Sequence, residues 1–458
     1  MLVEPPVKKV LYWCPECNIP LIGKSCRCGS ESDKIELLQP YDVRPALQFD
    51  HELIRTLLQD RFGITEIPHV VLLNKTGGVD RKDLIIINGV KFGWLSFDPC
   101  AKEYQIDLIY DSLPFILTAI SDGIVDIGNS PATPGGNQGT GRIGGKKVQV
   151  KTDLSDGCVI LRMGSKHGIG QLTGGEVRIR QIGRITPVVV PDPTWEEVVD
   201  GNRYHLKNLE RNAIRFIRQH MNERPCANVS FSGGKDSTAV LELATRAGVT
   251  DAYFVDTGME FPETLAFVGK TPIQTRLRGG NFWQRLEKEG PPKKDNRWCC
   301  EHLKLQPVKD WLSSRGECVT VQGNRWYESF ARAGLPAAIV NPFNPRQLNI
   351  SPIRNWRALE VFLYIWWRKL PCNPLYDAGM ERVGCWMCPA MLESEFEHTK
   401  ELHPDLHAHW LNWLDEFYSK KKVPPEYIRC GLWRWDTLPP KMRELLLKKN
   451  IKIPSFVK

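Results

Sequence analysis

Residues 226–258 read CANVSFSGGKDSTAVLELATRAGVTDAYFVDTG. A short apolar strand, Ala227 to Phe231, runs into a loop with two consecutive glycines. An apolar-periodic helix follows, closed by Gly248, and then a second strand with Asp256 at its carboxyl end. Strand, loop, helix and strand form the unit of a parallel α/β sheet, whose ligands bind beyond the carboxyl ends of the strands. The loop, Ser232-Gly233-Gly234-Lys235-Asp236-Ser237, carries what an anion needs. Its glycines let the backbone bend, the helix start offers free N–H groups, and Lys235 with the hydroxyls of Ser232 and Ser237 adds donors. It is not a Walker A loop, because no glycine stands five residues before Gly234.

Outward from this unit the chain is long enough, at 458 residues, for about three domains. With 42% hydrophobic and 25% charged residues it has the composition of a folded chain rather than a disordered one. A net charge of +8 is compatible with nucleotide or RNA ligands without requiring them. No apolar run is long enough to span a membrane, and the N-terminus has no stretch resembling a signal peptide. Fourteen cysteines in such a chain point to a reducing, cytoplasmic setting, with metal or redox chemistry rather than structural disulfides.

The segment CPECNIPLIGKSCRCGS, residues 14–30, places Cys14, Cys17, Cys26 and Cys28 in two close pairs. Four thiolates on so short a loop can close a tetrahedral site for Zn or for a mononuclear iron of rubredoxin type. Residues 37–127 mix a helix near His51–Phe62 with strands, and Asn88-Gly89 between two apolar runs predicts a hairpin. A glycine-rich span follows, Gly128 to Gly145, and then three alternating β-rich pieces, KKVQVKTDL, GCVILRM and EVRIRQIGRI. Lys146, Lys147, Lys151, Arg178, Arg180 and Arg184 there suit either a phosphate backbone or a solvated face. The arrangement resembles the small RNA-binding β-barrel called PUA. The Pro-rich linker beginning at Thr186 separates this half from the α/β half, where a helix is expected from about Asn202.

The SGGKDS loop, in its strand-to-helix context, resembles the PP-loop of the adenine nucleotide alpha hydrolase superfamily. Four further stretches resemble its phosphoadenosine phosphosulfate (PAPS) and adenylylsulfate reductase branch: DTGMEFPET (256–264), RWCCEHLKLQPVKDWL (297–312), GNRWYESFAR (323–332) and SPIRNWRALEVFLYIWWRKLPCNPLYDAG (351–379). The likeness spans roughly 205–395. It implies a nucleotide site built from the loop with Asp256, Arg325 and Arg332, the arginines forking onto phosphate or sulfate. Cys299, Cys300, Cys385 and Cys388 match the CC…CxxC set with which adenylylsulfate reductases hold a [4Fe–4S] cluster, although by count alone they would suit Zn as well. Lys304 would then stand between cluster and substrate. Cys430, in Arg429-Cys430-Gly431-Leu432-Trp433, matches the reductases' C-terminal nucleophile motif at Cys, Gly and Leu only, and structural burial is the competing reading.

The resulting expectation is a multidomain chain. It has a four-cysteine metal ribbon, a zinc ribbon in outline (1–36), a mixed α/β segment (37–127), a PUA-like barrel (128–190), a PP-loop domain with a mainly parallel sheet (200–396) and a basic helical extension (397–458). Cys100, Cys158, Cys226, Cys318 and Cys372 stand alone and read as small buried hydrophobes. So do most tryptophans, as core and pocket walls rather than base-stacking platforms. The resemblance implies reduction of adenylyl or phosphoadenylyl sulfate to sulfite, Cys430 attacking sulfur and a thioredoxin-like thiol donor returning the electrons. The alternative is an ATP-dependent RNA (tRNA) sulfurtransferase. In that reading Lys235 and Asp236 serve ATP cleavage, Mg2+ accompanies ATP, and the PUA-like domain holds RNA.

Overall fold

The computed structural model describes residues 7–128, 145–421 and 423–452. Four sheets follow one another along the chain. The first is a three-stranded antiparallel knuckle of β1 (Val10–Cys14), β2 (Ile19–Leu21) and β3 (Asp33–Glu36), in the order β2-β1-β3. Its apolar residues Leu11, Trp13, Ile19 and Leu21 are buried in one core with the helix Trp195–His220 and the α/β sheet. Buried Asn202 of that helix locks the two together, accepting from the Ile22 N–H at 2.8 Å and donating to the Pro20 carbonyl at 2.8 Å.

The second sheet is antiparallel: β4 (Val43–Pro45), β5 (Leu72–Lys75), β6 (Lys82–Ile87), β7 (Val90–Asp98) and β8 (Glu103–Leu108), in sequential order. The expected hairpin joins β6 to β7, with Asn88 and Gly89 both at positive φ, as a tight two-residue turn demands. The helix Gln48–Phe62 covers this sheet.

The third sheet comprises β9 (Ile124–Asp126), β10 (Lys147–Gln149), β11 (Gly157–Met163), β12 (Lys166–Thr173) and β13 (Glu176–Gly183), in the order β10-β13-β12-β11-β9. It differs from the expectation in two ways. β9 begins before residue 128 and pairs in parallel with β11. β12 carries Gly168 and Gly170, which hid it from a reading based on β-branched alternation; at both positions a Cβ would meet neighbours at 2.8 Å or less. The glycine-rich span lies largely outside the described residues.

The α/β half holds β14 (Cys226–Phe231), β15 (Ala252–Asp256), β16 (Thr275–Arg278), β17 (Cys318–Val321), β18 (Ala338–Asn341) and β19 (Asn344–Ile350). Their order is β16-β15-β14-β17-β19-β18, parallel except for the edge pair β18–β19. Strand order therefore reverses between β14 and β17, which opens a crevice at their carboxyl ends. The preceding helix starts at Trp195, earlier than expected, because Thr194 and Glu197 form a reciprocal cap: the Glu197 N–H donates to Thr194 Oγ1 and the Thr194 N–H to Glu197.

Two isolated cysteines depart from the expectation. Cys226 and Cys318 sit in direct register on β14 and β17 with Cα atoms 4.6 Å apart, and a disulfide joins them. Beyond the sheet, the helices Glu393–Leu402, Pro404–Ser419 and Pro440–Lys448 enclose an aromatic core with Trp298, Trp386, Trp410 and Trp433. Among the described residues no helix is long and apolar enough to cross a membrane.

Candidate active site

The loop after β14 turns because Gly233 adopts φ +76°, where a side chain would be strained and its Cβ would meet Thr264 at 3.1 Å. The loop braces itself: Ser237 Oγ donates to the Gly234 carbonyl at 2.8 Å and accepts from the Ser232 N–H at 3.2 Å. Gly234 caps the helix Lys235–Ala247 without a side chain, leaving the Asp236 and Ser237 N–H groups of the first turn for an anion. Asn373 and Tyr376 hold the loop from outside. The Asn373 amide donates to the Gly233 carbonyl at 3.2 Å and to Thr264 at 3.1 Å, while the Lys235 N–H donates to Tyr376 Oη at 2.9 Å. These two belong to the PCNPLY stretch already noted, but their part in the loop follows only from the fold.

A cavity of about 320 Å³ opens over this loop, between β14 and β17 at the strand reversal. Lys235, Lys304, Arg332 and Arg382 face Asp236 and Glu328 across it, an excess of two positive charges that favours an anion. Asp236 accepts from Lys235 at 2.9 Å and from Arg325 Nε at 2.6 Å. Burial opposes its charge, yet the two cations outweigh that and keep its pKa below the ordinary carboxylate value. Gly323 is needed here for close approach, since a Cβ would come within 2.9 Å of the Asp236 backbone.

Two expected nucleotide contacts are placed elsewhere. Arg325 is fully buried and forks onto Asp42 at 2.8 and 3.0 Å, so it orients Asp236 rather than facing a ligand. Asp256 lies in a neighbouring cleft beside Arg278, at 3.4 Å. Arg332 does line the loop cavity, paired with Glu328.

Cys299, Cys300, Cys385 and Cys388 ring a second cavity of about 130 Å³. Its construction explains the spacing. Glu260 forms a β-bridge with Cys385, and the Trp386 N–H donates to the Met259 carbonyl at 2.9 Å, so the 256–261 stretch docks the CxxC loop. Thr257 Oγ1 donates to Glu260 at 2.8 Å and lies 3.5 Å from Cys385 Sγ. After Cys299–Cys300 the helix widens into a π-type turn, Glu301–Leu305, a local device that recurs at functional sites. That turn carries Lys304, which lines the loop cavity, the cysteine cavity and a third, more apolar cavity of about 250 Å³ walled by Phe231, Phe254 and Val308. Val383 also borders all three.

The two cysteine quartets differ in geometry. The donor atoms of Cys14, Cys17, Cys26 and Cys28 all lie within 4.8 Å of one another, the one such set of three or more among the described residues. The Cys14–Cys28 and Cys17–Cys26 sulfurs are 3.4 and 3.9 Å apart. Tetrahedral Zn with bonds of about 2.3 Å needs sulfurs roughly 3.8 Å apart, so this quartet fits a single ion. The second quartet is spread around a cavity. That fits a polynuclear cluster, whose thiolates bind separate corners, better than one ion.

Cys430 is not at these cavities. It is 0% exposed, packed in the aromatic core of the C-terminal helices against Cys100 of the β7–β8 turn. The expected attacking thiol is therefore a core residue in this structure.

The profile of the phosphoadenosine phosphosulfate reductase domain matches residues 226–391. An uncharacterized protein of Methanocaldococcus jannaschii is 32% identical, covering 93% of this chain and 96% of its own. The chain belongs to the PAPS reductase family. An adenosine 5′-phosphosulfate reductase of Deinococcus radiodurans is 27% identical over 43% of this chain and 72% of its own. The PAPS reductase structure from Candida auris, 21% identical, covers 41% of this chain and 97% of its own at a TM-score of 0.33.

Proposed function

We propose that this PAPS reductase-family protein binds the phosphate–sulfate end of adenylyl or phosphoadenylyl sulfate in the loop cavity and reduces it to sulfite at the cysteine-lined cavity. The observation that carries the reading is the shared wall: Lys304, Val383 and Arg382 border both cavities, so a sulfonucleotide anchored at the loop has its sulfur directed toward the cysteines. The Lys235 ammonium and the Asp236 and Ser237 N–H groups hold the phosphate, and Lys304 and Arg382 neutralise the sulfate. The apolar cavity takes the nucleoside. Cys299, Cys300, Cys385 and Cys388 are the residues that would hold a [4Fe–4S] cluster, which when bound would supply a redox-active, charged wall to the site. A dithiol donor of thioredoxin type provides both electrons. One thiolate attacks sulfur, the S–O bond to the phosphate breaks with the adenosine nucleotide leaving, and the second thiol frees sulfite as the donor closes to its disulfide.

The burial of Cys430 favours a second reading, ATP-dependent sulfur transfer to RNA, with Mg2+ accompanying ATP and Lys235 and Asp236 serving cleavage. Side-by-side measurement of sulfite and pyrophosphate release separates the two. The reductase releases sulfite from one of the sulfonucleotides without pyrophosphate, and Lys235→Ala mainly weakens binding because Lys235 supplies a point charge. RNA-stimulated pyrophosphate release from ATP, with no sulfite from either sulfonucleotide, overturns the first reading.

A further inference from the structure

The helices Trp195–His220 and Ala358–Arg368 pack side by side and leave a groove of about 780 Å³ on the outside of the α/β half, apart from the residues of the three cavities above. Five cations line it: Lys207, Arg211, Arg215, Arg218 and Arg368. The only acid among its walls, Glu210, is already occupied by Arg368, by Arg246 at 3.6 Å and by the Tyr364 hydroxyl at 3.1 Å. Lys207, Arg211, Arg215 and Arg218 are all exposed, and Lys207 and Arg215 have no acidic partner among the described residues. A solvated helix face ordinarily mixes both signs at i, i+4; here one sign repeats along four positions.

We infer that this groove binds the phosphodiester backbone of a single-stranded nucleic acid, with RNA as the ligand tested. Three features select that occupant. At 1.5 Å per residue the four basic side chains of the first helix stand about 6, 6 and 4.5 Å apart along the axis, a continuous cationic row that can track the phosphates of a strand laid along it. Four of the five cations are arginines, whose planar fork can take two oxygens of one phosphate at once. The half-buried Trp367 forms part of the wall, with the Arg368 guanidinium 3.8 Å from its ring, and a base can stack on such a platform where a peptide carboxylate has no use for one. The groove adds a candidate nucleic-acid surface on the α/β half to the basic residues of the third sheet, of which Lys147 is paired with Glu176 and Arg180 with Asp107. The inference stands independently of which reaction the cavities perform.

The test is fluorescence anisotropy of the full chain with a labelled oligouridylate of about 20 nucleotides, titrated between about 50 and 300 mM salt. Wild-type protein should bind with a log–log salt slope near −3, from four or five phosphates at about −0.7 each. R211E/R215E should raise Kd at least about tenfold at low salt, and R211Q/R215Q should flatten the slope by about 1.4, two phosphate contacts. W367A should weaken binding a few-fold at an unchanged slope. Arg211 and Arg215 are exposed while Trp367 is half-buried against the core, and circular dichroism together with sulfonucleotide binding checks that the variants fold. Unchanged RNA binding by R211E/R215E overturns the inference. So does its loss in K146E/K147E alone, which would move the surface to the third sheet. Displacement of the RNA by polyglutamate at equal charge would assign the groove to an acidic protein partner and overturn it as well.

Discussion

The two cysteine quartets use the same side chain in the same number, and they are built in opposite ways. Cys14, Cys17, Cys26 and Cys28 come from one loop, and their sulfurs close to within 4.8 Å of one another. Cys299 with Cys300 and Cys385 with Cys388 come from distant segments, and they surround a space rather than fill it. The first arrangement needs only a strand and a turn. The second needs the Glu260–Cys385 bridge, the Trp386 hydrogen bond to Met259, the π-type turn and a core of C-terminal aromatics. Local cysteines close into a compact quartet; remote cysteines surround a cavity that shares Lys304, Arg382 and Val383 with the loop cavity.

The largest effect should come from breaking the remote quartet. Cys385→Ser removes a ligand on the loop that borders the nucleotide cavity, and turnover should fall by about a thousandfold or more, the range seen when a unit of catalytic machinery is lost. Anaerobic absorption spectra and iron content should show the loss of bound iron, while the metal of the N-terminal knuckle stays. A variant that keeps both iron and turnover would dissociate these cysteines from the chemistry.

The knuckle should break separately. Cys14→Ser/Cys17→Ser should release about one equivalent of Zn or Fe, leave the four-iron absorption in place, and lower stability, because metal-binding free energy in so small a unit is folding free energy. Thermal unfolding with elemental analysis reads both. Loss of the cluster in this double variant would mean the two quartets are not separate sites. Since the knuckle shares a core with the helix Trp195–His220, a metal held there would brace the α/β half as well as the knuckle.

How much of this was legible in the chain follows the same division. The SGGKDS loop, the Asn88-Gly89 hairpin and the knuckle are each specified within a few residues, and the structure places them as read. The expectation for Arg325 was a ligand contact, but its partner Asp42 is 283 residues away and no local pattern announces that pairing. The Cys226–Cys318 bridge depends on the parallel register of β14 and β17, which is a property of the sheet order and not of either strand. Asn373 and Tyr376 could have been singled out, because an Asn and a Tyr flanking Pro374 in the family-like stretch are the kind of polar groups that pin a loop. For Cys430 the sequence leaves an attacking thiol and a buried structural one both open; its cationic neighbours favour the thiolate, and the aromatic core that covers it is assembled from distant helices on both sides.

A more moderate effect concerns the seam between the second sheet and the C-terminal helices. His398, on the helix after the CxxC loop, is buried against Phe49 and shares one hydrogen bond with Tyr104 Oη at 3.1 Å, both from the second-sheet half. Burial and then the nearby Arg81 push its pKa down to about 4, while Asp50, Glu397 and Glu381 pull weakly the other way. The folded state therefore refuses a proton that the unfolded chain accepts at its ordinary value of 6.5. The stability His398 permits is complete above pH 6.5 and declines as pH falls toward 4, by up to about 3 kcal/mol at roughly 1.4 kcal/mol per unit. Denaturant unfolding at a series of pH values, compared with His398→Gln, measures it. An identical acid slope in the variant would remove His398 as the cause.

The smallest expected effect is the most discriminating one for the site. If the remote quartet and its shared wall carry the chemistry, Cys430→Ala should leave sulfite release within about twofold of wild type, because a thiol with no exposed surface cannot meet a sulfur bound over the loop. Its cost should appear in stability instead. Trimming a sulfur from the packed contact with Cys100 leaves a small void, worth about 1 kcal/mol. Cys430→Ser should cost somewhat more than Cys430→Ala, since the hydroxyl then needs a partner in an apolar surrounding. Steady-state sulfite assays and unfolding curves on the two variants give both numbers. Abolished turnover with unchanged sulfonucleotide affinity in a folded Cys430→Ala protein would restore the attacking role and require the C-terminal helices to open during the reaction, and the cysteine cavity would then be a neighbour of the reactive thiol instead of its replacement.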